Sequence, residues 1–209
     1  MSEHNLHPGL NLGARHGAAH EGAETILFGF WIFLMSDLVI FGLVFASYLT
    51  VANPTGAAGG PGPAEAFDLR SVFAQTVILL SSSLTFGFAT LAMRHETGRR
   101  SIASWLIVTL FLGIGFLAME LRDFAHMIDV GAVPSRSGFW SAFWGLVPLH
   151  GVHVTVGCLW IVVMLIQLAT LGLIPVVKMR VLRLGLYWHF LDLIWVGIFS
   201  IVYLGGQMR

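Results

Sequence analysis

The stretch FWSAFWGLVPLHGVHVTVGCLWIVVMLIQLATL, residues 139–171, runs for 33 positions without an Asp, Glu, Lys or Arg. A helix of about 20 apolar residues crosses the roughly 30 Å hydrocarbon core of a bilayer. This run therefore spans a membrane with length left over for interfacial turns or a strong tilt. Four more runs of the same character lie near 26–48, 72–93, 102–119 (extending to 126) and 182–204. An open strand in lipid would leave backbone groups unsatisfied, and these runs are too long for barrel strands. The expected fold class is all-α, a polytopic membrane bundle of five transmembrane helices.

Composition points the same way. Hydrophobic residues make up 56% of the 209 and charged residues only 11%, against about 25% charged in ordinary soluble domains. Mean hydropathy is +0.82. A formal net charge of zero gives no electrostatic case for nucleic acid. The single cysteine, Cys158, lies in an apolar run and reads as a small buried hydrophobe. It allows neither a disulfide within the chain nor a zinc–cysteine cluster.

The domain organisation expected is a polar tail over 1–24 and a five-helix unit over 25–209. The tail lacks the basic patch and short apolar core of a secretory signal. Its histidines, His4, His7, His16 and His20, read as part of a solvated segment. Between spans lie a Gly/Pro linker at 53–63 that no helix should include, a short polar turn at 94–100, and Gly/Pro-bearing breaks at 131–137 and 172–175. The last break precedes a basic stretch, Lys178, Arg180 and Arg183. No internal repeat is visible. With five spans, seven of the 11 basic residues fall on the side of the N-terminus and four on the other. The positive-inside rule then puts the N-terminus in the cytoplasm and the C-terminus in the periplasm.

Polar groups at bilayer depth are costly and mark interior or functional positions. Asp37 sits mid-span beside Ser36; the expectation is a hydrogen-bonded acid, with Ser36 and a backbone carbonyl the partners to hand. Glu120 and Asp123 are three apart on a face shared with Gly113 and Phe116. His150, His153, Gly157 and Trp160 form one stripe; His189 and Asp192 begin another that continues through Val196, Phe199 and Tyr203. A bundle di-metal site would need Glu-x-x-His pairs at matching depth, and the chain has none. The expectation is no metal and no catalytic residue. His150, His153, His189 and Asp192 should form a structural polar seam between the fourth and fifth helices, helped by close-approach glycines. Asp37 and Glu120 stand as lipid- or proton-related candidates. Trp140, Trp144 and Tyr203 fall near span ends, where interfacial anchoring is expected, although packing is the reading for most of the aromatics.

The same residues carry a resemblance. Gly29-Phe30-Trp31-Ile32-Phe33-Leu34-Met35-Ser36-Asp37, with Phe41, Phe45 and Tyr48, resembles the first span of subunit III in bacterial bo-type ubiquinol oxidases. Leu149-His150-Gly151-Val152-His153-Val154-Thr155-Val156-Gly157 resembles the His-Gly-x-His-Val-x-x-Gly element of the wider haem–copper oxidase subunit III family. Tyr187-Trp188-His189-Phe190-Leu191-Asp192-Leu193-Ile194-Trp195 is similar to its Tyr-Trp-His-Phe-x-Asp-x-x-Trp signature. The loop beginning Ser135-Arg136-Ser137-Gly138 leans towards the quinol-oxidase branch. There are departures. Seven-span mitochondrial-type subunits have two further helices and a glutamate where Asp37 stands, and Leu121-Arg122-Asp123 replaces an Ile-Tyr-Glu pattern.

The resemblance implies an accessory, non-redox subunit of a proton-pumping terminal oxidase that oxidises ubiquinol and reduces oxygen to water. It implies haems and copper in subunit I and no cofactor in this chain. It also implies a lipid-filled V-shaped cleft with bound phospholipid, support for sustained turnover and proton uptake, and subunits I, II and IV as partners in a bacterial inner membrane. Rival readings are a cytochrome c-oxidising relative, a stand-alone membrane metal enzyme, and a proton-coupled transporter using Asp37 or Glu120. Against the transporter stands the lack of an inverted repeat and of a pair of broken helices.

Overall fold

The computed structural model describes residues 16–57, 67–96 and 98–207. His4, His7, Arg15, Arg209 and most of the Gly/Pro linker lie outside them. Five long helices carry the chain: α1 (His16–Val51), α2 (Leu69–Arg94), α3 (Arg99–Asp129), α4 (Gly138–Thr170) and α5 (Pro175–Ile198). All five are long and apolar enough to cross a membrane, and there is no strand among the described residues. The chain is an all-α, five-span bundle.

Three boundaries differ from expectation, each for a local reason. α1 begins at His16, inside the expected polar tail; Ala and Glu there are strong helix formers that prolong a nucleated helix. The linker holds a one-turn helix, Pro54–Ala57. Proline suits a first helical position, and Asn53 closes the turn by accepting Gly56 N–H at 2.8 Å while its amide donates to Thr50 O at 2.9 Å. The basic residues Lys178, Arg180 and Arg183 sit on the opening turns of α5, not in a loop.

Loop chemistry sets the ends. Asp68 caps α2 through Arg70 N–H, and Ser137 caps α4 through Trp140 N–H. α3 closes in a Schellman motif: Gly131 sits at φ +79, Gly131 N–H donates to Ile128 O at 3.1 Å, and Ala132 N–H donates to Met127 O at 2.8 Å. α5 runs into a π-helical segment, Phe199–Leu204.

Large side chains fill gaps left by small ones. α2 and α3 form the most closely packed pair; α4 touches α1, α3 and α5, and α5 returns against α2. Trp188 of α5 is wedged between Gly113 of α3 and Gly157 of α4, where an added Cβ would come within 2.9 Å of its ring on either side. Its indole N–H donates to Ser82 Oγ at 3.0 Å, and Trp195 does the same to Thr76 Oγ1 at 3.0 Å. α1 is the least buried span and exposes Trp31, Ile32, Phe33, Val39 and Leu43, as expected where lipid or another subunit is the neighbour. Trp140 and Tyr203, expected near the interface, are fully enclosed instead: both rings pack against Phe67 and Phe143. Half-buried Trp144 spends its N–H on Ala132 O. Their indoles and phenol serve helix packing, because the α2 and α4 ends they adjoin carry aromatic partners.

Candidate functional site

The polar residues of the interior form three separate groups. The first is a carboxylate clasp between α2 and α3. Ser71 donates to both oxygens of Asp123, at 3.0 and 2.9 Å, and Gln75 Nε2 donates to Oδ2 at 2.6 Å. Sequence reasoning singled out Asp123 but missed Ser71 and Gln75. Their signal was available: two polar residues at i,i+4 in an apolar span face one neighbour.

The second group lies where α3, α4 and α5 meet. Glu120 is 3% exposed. Its carboxylate reaches the α4 backbone only because Gly151 has no side chain; a Cβ there would lie 2.5 Å from Oε2. His150 is fully enclosed and ringed by Phe41, Phe116 and Trp195, the last with ring centroids 5.2 Å apart. Glu120 Oε1 and both His150 nitrogens have no hydrogen-bond partner among the described residues.

The third group corrects the expected seam. His189 Nδ1 lies 2.5 Å from Ser83 Oγ, so it engages α2 and not α4. Asp192 lies beside the same Ser83, and its oxygens make no hydrogen bond among the described residues. The bond that joins α4 to α5 here is Tyr187 Oη donating to the His153 carbonyl at 2.9 Å. Residues three apart share a helix face, but which neighbour that face meets depends on helix order around the bundle, which spacing does not encode. Thus His150 and His153 are not brought onto His189 and Asp192 by hydrogen bonds.

Asp37 lies apart from all of these. It lines a cavity of about 250 Å³ with Phe33, Val152, His153, Val156, Trp160 and Tyr187. Ser36, its expected partner, donates to Ile32 O at 3.1 Å, the usual outlet for a helical serine. A larger groove of about 420 Å³ opens between α1 and α2 over α5, lined by Leu27, Leu91, Arg94, Gly185 and His189 among others. Cys158 is buried against Gly113. No three His, Cys, Asp or Glu side chains converge as a metal-binding group among the described residues.

A five-span helical membrane protein with carboxylates and imidazoles held between its helices is the class of protein these features define. The family model for cytochrome c oxidase subunit III matches residues 10–207, and the chain belongs to that family. Among its relatives is cytochrome bo(3) ubiquinol oxidase subunit 3 of Pseudomonas aeruginosa, 43% identical over 94% of this chain and 93% of the relative. The protein of the same name from Pseudomonas putida is 42% identical over 90% of each chain. Quinol oxidase subunit 3 of Bacillus subtilis is 42% identical over 89% of this chain and 90% of the relative.

Proposed function

We propose that this chain is the accessory third subunit of a bacterial terminal quinol oxidase, in a complex that oxidises ubiquinol, reduces oxygen to water and pumps protons. The observation that carries the reading is family membership across nearly the whole chain, with relatives named as quinol oxidase subunits at 42–43% identity. Those names favour the quinol donor over cytochrome c and leave the stand-alone metal enzyme without support. The chain itself is non-catalytic. Haems and copper belong to subunit I, and subunits I, II and IV are its partners.

Its work is to stabilise the complex and sustain proton uptake. Asp37 and Glu120 are the proton-related groups, and the polar residues His150, His153, His189 and Asp192 are structural. Phospholipid occupies the groove between α1 and α2, whose apolar walls suit an acyl chain and whose Arg94 suits a headgroup phosphate. The N-terminus faces the cytoplasm and the C-terminus the periplasm.

Purified oxidase with and without this chain tests the proposal. The depleted complex should keep its haem spectrum and its initial quinol oxidation, then lose activity several-fold sooner during turnover. A complete complex that cannot oxidise quinol would refute the reading. So would loss of all haem signal on depletion while the main subunit remains.

A further inference from the structure

The cavity at Asp37 has a chemistry that structural packing does not use. It lies between α1, α4 and α5, at the middle of the first span and not at a headgroup level. Its walls are aromatic and aliphatic, and its polar groups are few. Tyr187 is committed, since its hydroxyl donates to the His153 carbonyl. His153 Nδ1 lies 2.7 Å from Leu149 O. A carbonyl can only accept, so Nδ1 carries the proton and Nε2 of the neutral ring is left as an acceptor. Asp37 makes no hydrogen bond or ion pair among the described residues, and its nearest serine is turned away.

The cavity thus offers a carboxyl and an acceptor nitrogen inside aromatic walls, at a depth that only a membrane-dissolved ligand reaches. A phospholipid headgroup would have to leave water to get there. A ring bearing a hydroxyl would not. From this we infer that the Asp37–His153 cavity binds a hydroquinone headgroup from the bilayer, outside subunit I. One phenolic O–H donates to Asp37 or to His153 Nε2, the ring stacks among Phe33 and Trp160, and the isoprenoid tail stays in lipid. Aromatic contacts of this kind add to area burial. Selectivity follows at His153: quinol has an O–H for the acceptor Nε2, whereas oxidised quinone has only carbonyls to offer it. The inference rests on the quinol-oxidase reading for its choice of ligand, and it is a binding step with no electron transfer.

Photolabelling tests it. The complete oxidase, in lipid nanodiscs under anaerobic conditions, is exposed to a ubiquinol analogue with a diazirine on its tail, then to the same analogue oxidised. Labelled peptides are mapped by mass spectrometry. Quinol should label this chain around Phe33 and Val156 at least fivefold more than quinone. Asp37→Leu and His153→Leu should each remove that label while labelling elsewhere in the complex persists. Val156→Trp, which fills the cavity without touching either polar group, should remove it too, and each variant is scored only in complexes that retain this chain at full stoichiometry. Equal labelling by both redox forms, label unaffected by the three variants, or label confined to other subunits would overturn the inference. Those outcomes leave the accessory role standing, because that role fails on different results: a complete complex that does not oxidise quinol, or loss of all haem signal on depletion while the main subunit remains.

Discussion

At Asp123 two donors meet one carboxylate, the Ser71 hydroxyl shared between both oxygens and the Gln75 amide on one. Interhelical hydrogen bonds in membranes average about 0.6 kcal/mol each, so these two donors contribute roughly 1 kcal/mol to holding α2 on α3. Asp123→Leu should lower the thermal midpoint of the detergent-solubilised complex by several degrees, read by loss of the intact assembly on size-exclusion chromatography. Ser71→Ala should cost less, because Gln75 remains. Glu120 makes a contrasting case. Its carboxylate lies against Gly151 and Oε1 meets no donor among the described residues, so Gly151→Val should damage assembly more than Glu120→Gln does. The reverse order would mean that charge, and not the close approach of α3 to α4, is what this position requires. Sequence spacing found Glu120, Asp123, His150 and Asp192, because a polar residue in an apolar run stands out whatever surrounds it. It could not find that Gly151 exists to admit Glu120, since a glycine in a membrane helix has many uses.

At the scale of helices, packing is set by where glycine meets tryptophan. Trp188 sits between Gly113 and Gly157, with the Cys158 thiol also close to Gly113. A Cβ at either glycine falls under 3 Å from the indole, and an indole wedged between two backbones has nowhere to retreat. Gly157→Ala should therefore reduce recovery of the chain with the complex severalfold, and Trp188→Phe in the same background should restore part of it by vacating ring atoms. Failure of the smaller ring to rescue would show that the glycine serves something other than the wedge. The five spans were readable because apolar length alone decides them. Their ends were less so. The α1 start and the opening turns of α5 carry polar or basic residues that hydropathy assigns to loops; helix propensity prolongs α1, and the bonds of Lys178 to Glu96 and of Arg180 to Gln167 fasten the α5 turns. The seam between α4 and α5 was misread for a related reason: His189 turns to Ser83 on α2, and only the order of helices around the bundle decides which neighbour a face meets.

At the scale of the whole molecule, one membrane side is laced together and rich in positive charge. Lys178 at the start of α5 pairs with Glu96 in the α2–α3 turn at 3.2 Å. Arg99 donates to Ala169 O at 3.1 Å near the end of α4, and Arg180 donates to Gln167 at 2.7 Å. These contacts join both loops of that side, so Arg99, Lys178 and Arg180 are held at the membrane edge. Juxtamembrane Lys and Arg within short loops are the ones that fix orientation. The opposite side has its turn at Gly131 and the 3-10 segment Pro134–Arg136, with Arg70, Arg122 and Arg136 as its Lys/Arg cations among the described residues. Alkaline phosphatase, which folds only in the periplasm, should be active when fused after Gly131 and inactive after Glu96 or Gly172. Reversing the bias should act on orientation before it acts on packing: replacing Arg94, Arg99 and Arg100, which all precede the Gly172 junction, by Gln should raise activity of the Gly172 fusion. The opposite pattern in the unaltered chain, active after Glu96 and silent after Gly131, would invert the molecule. It would also place the lysine–glutamate tie on the periplasmic face.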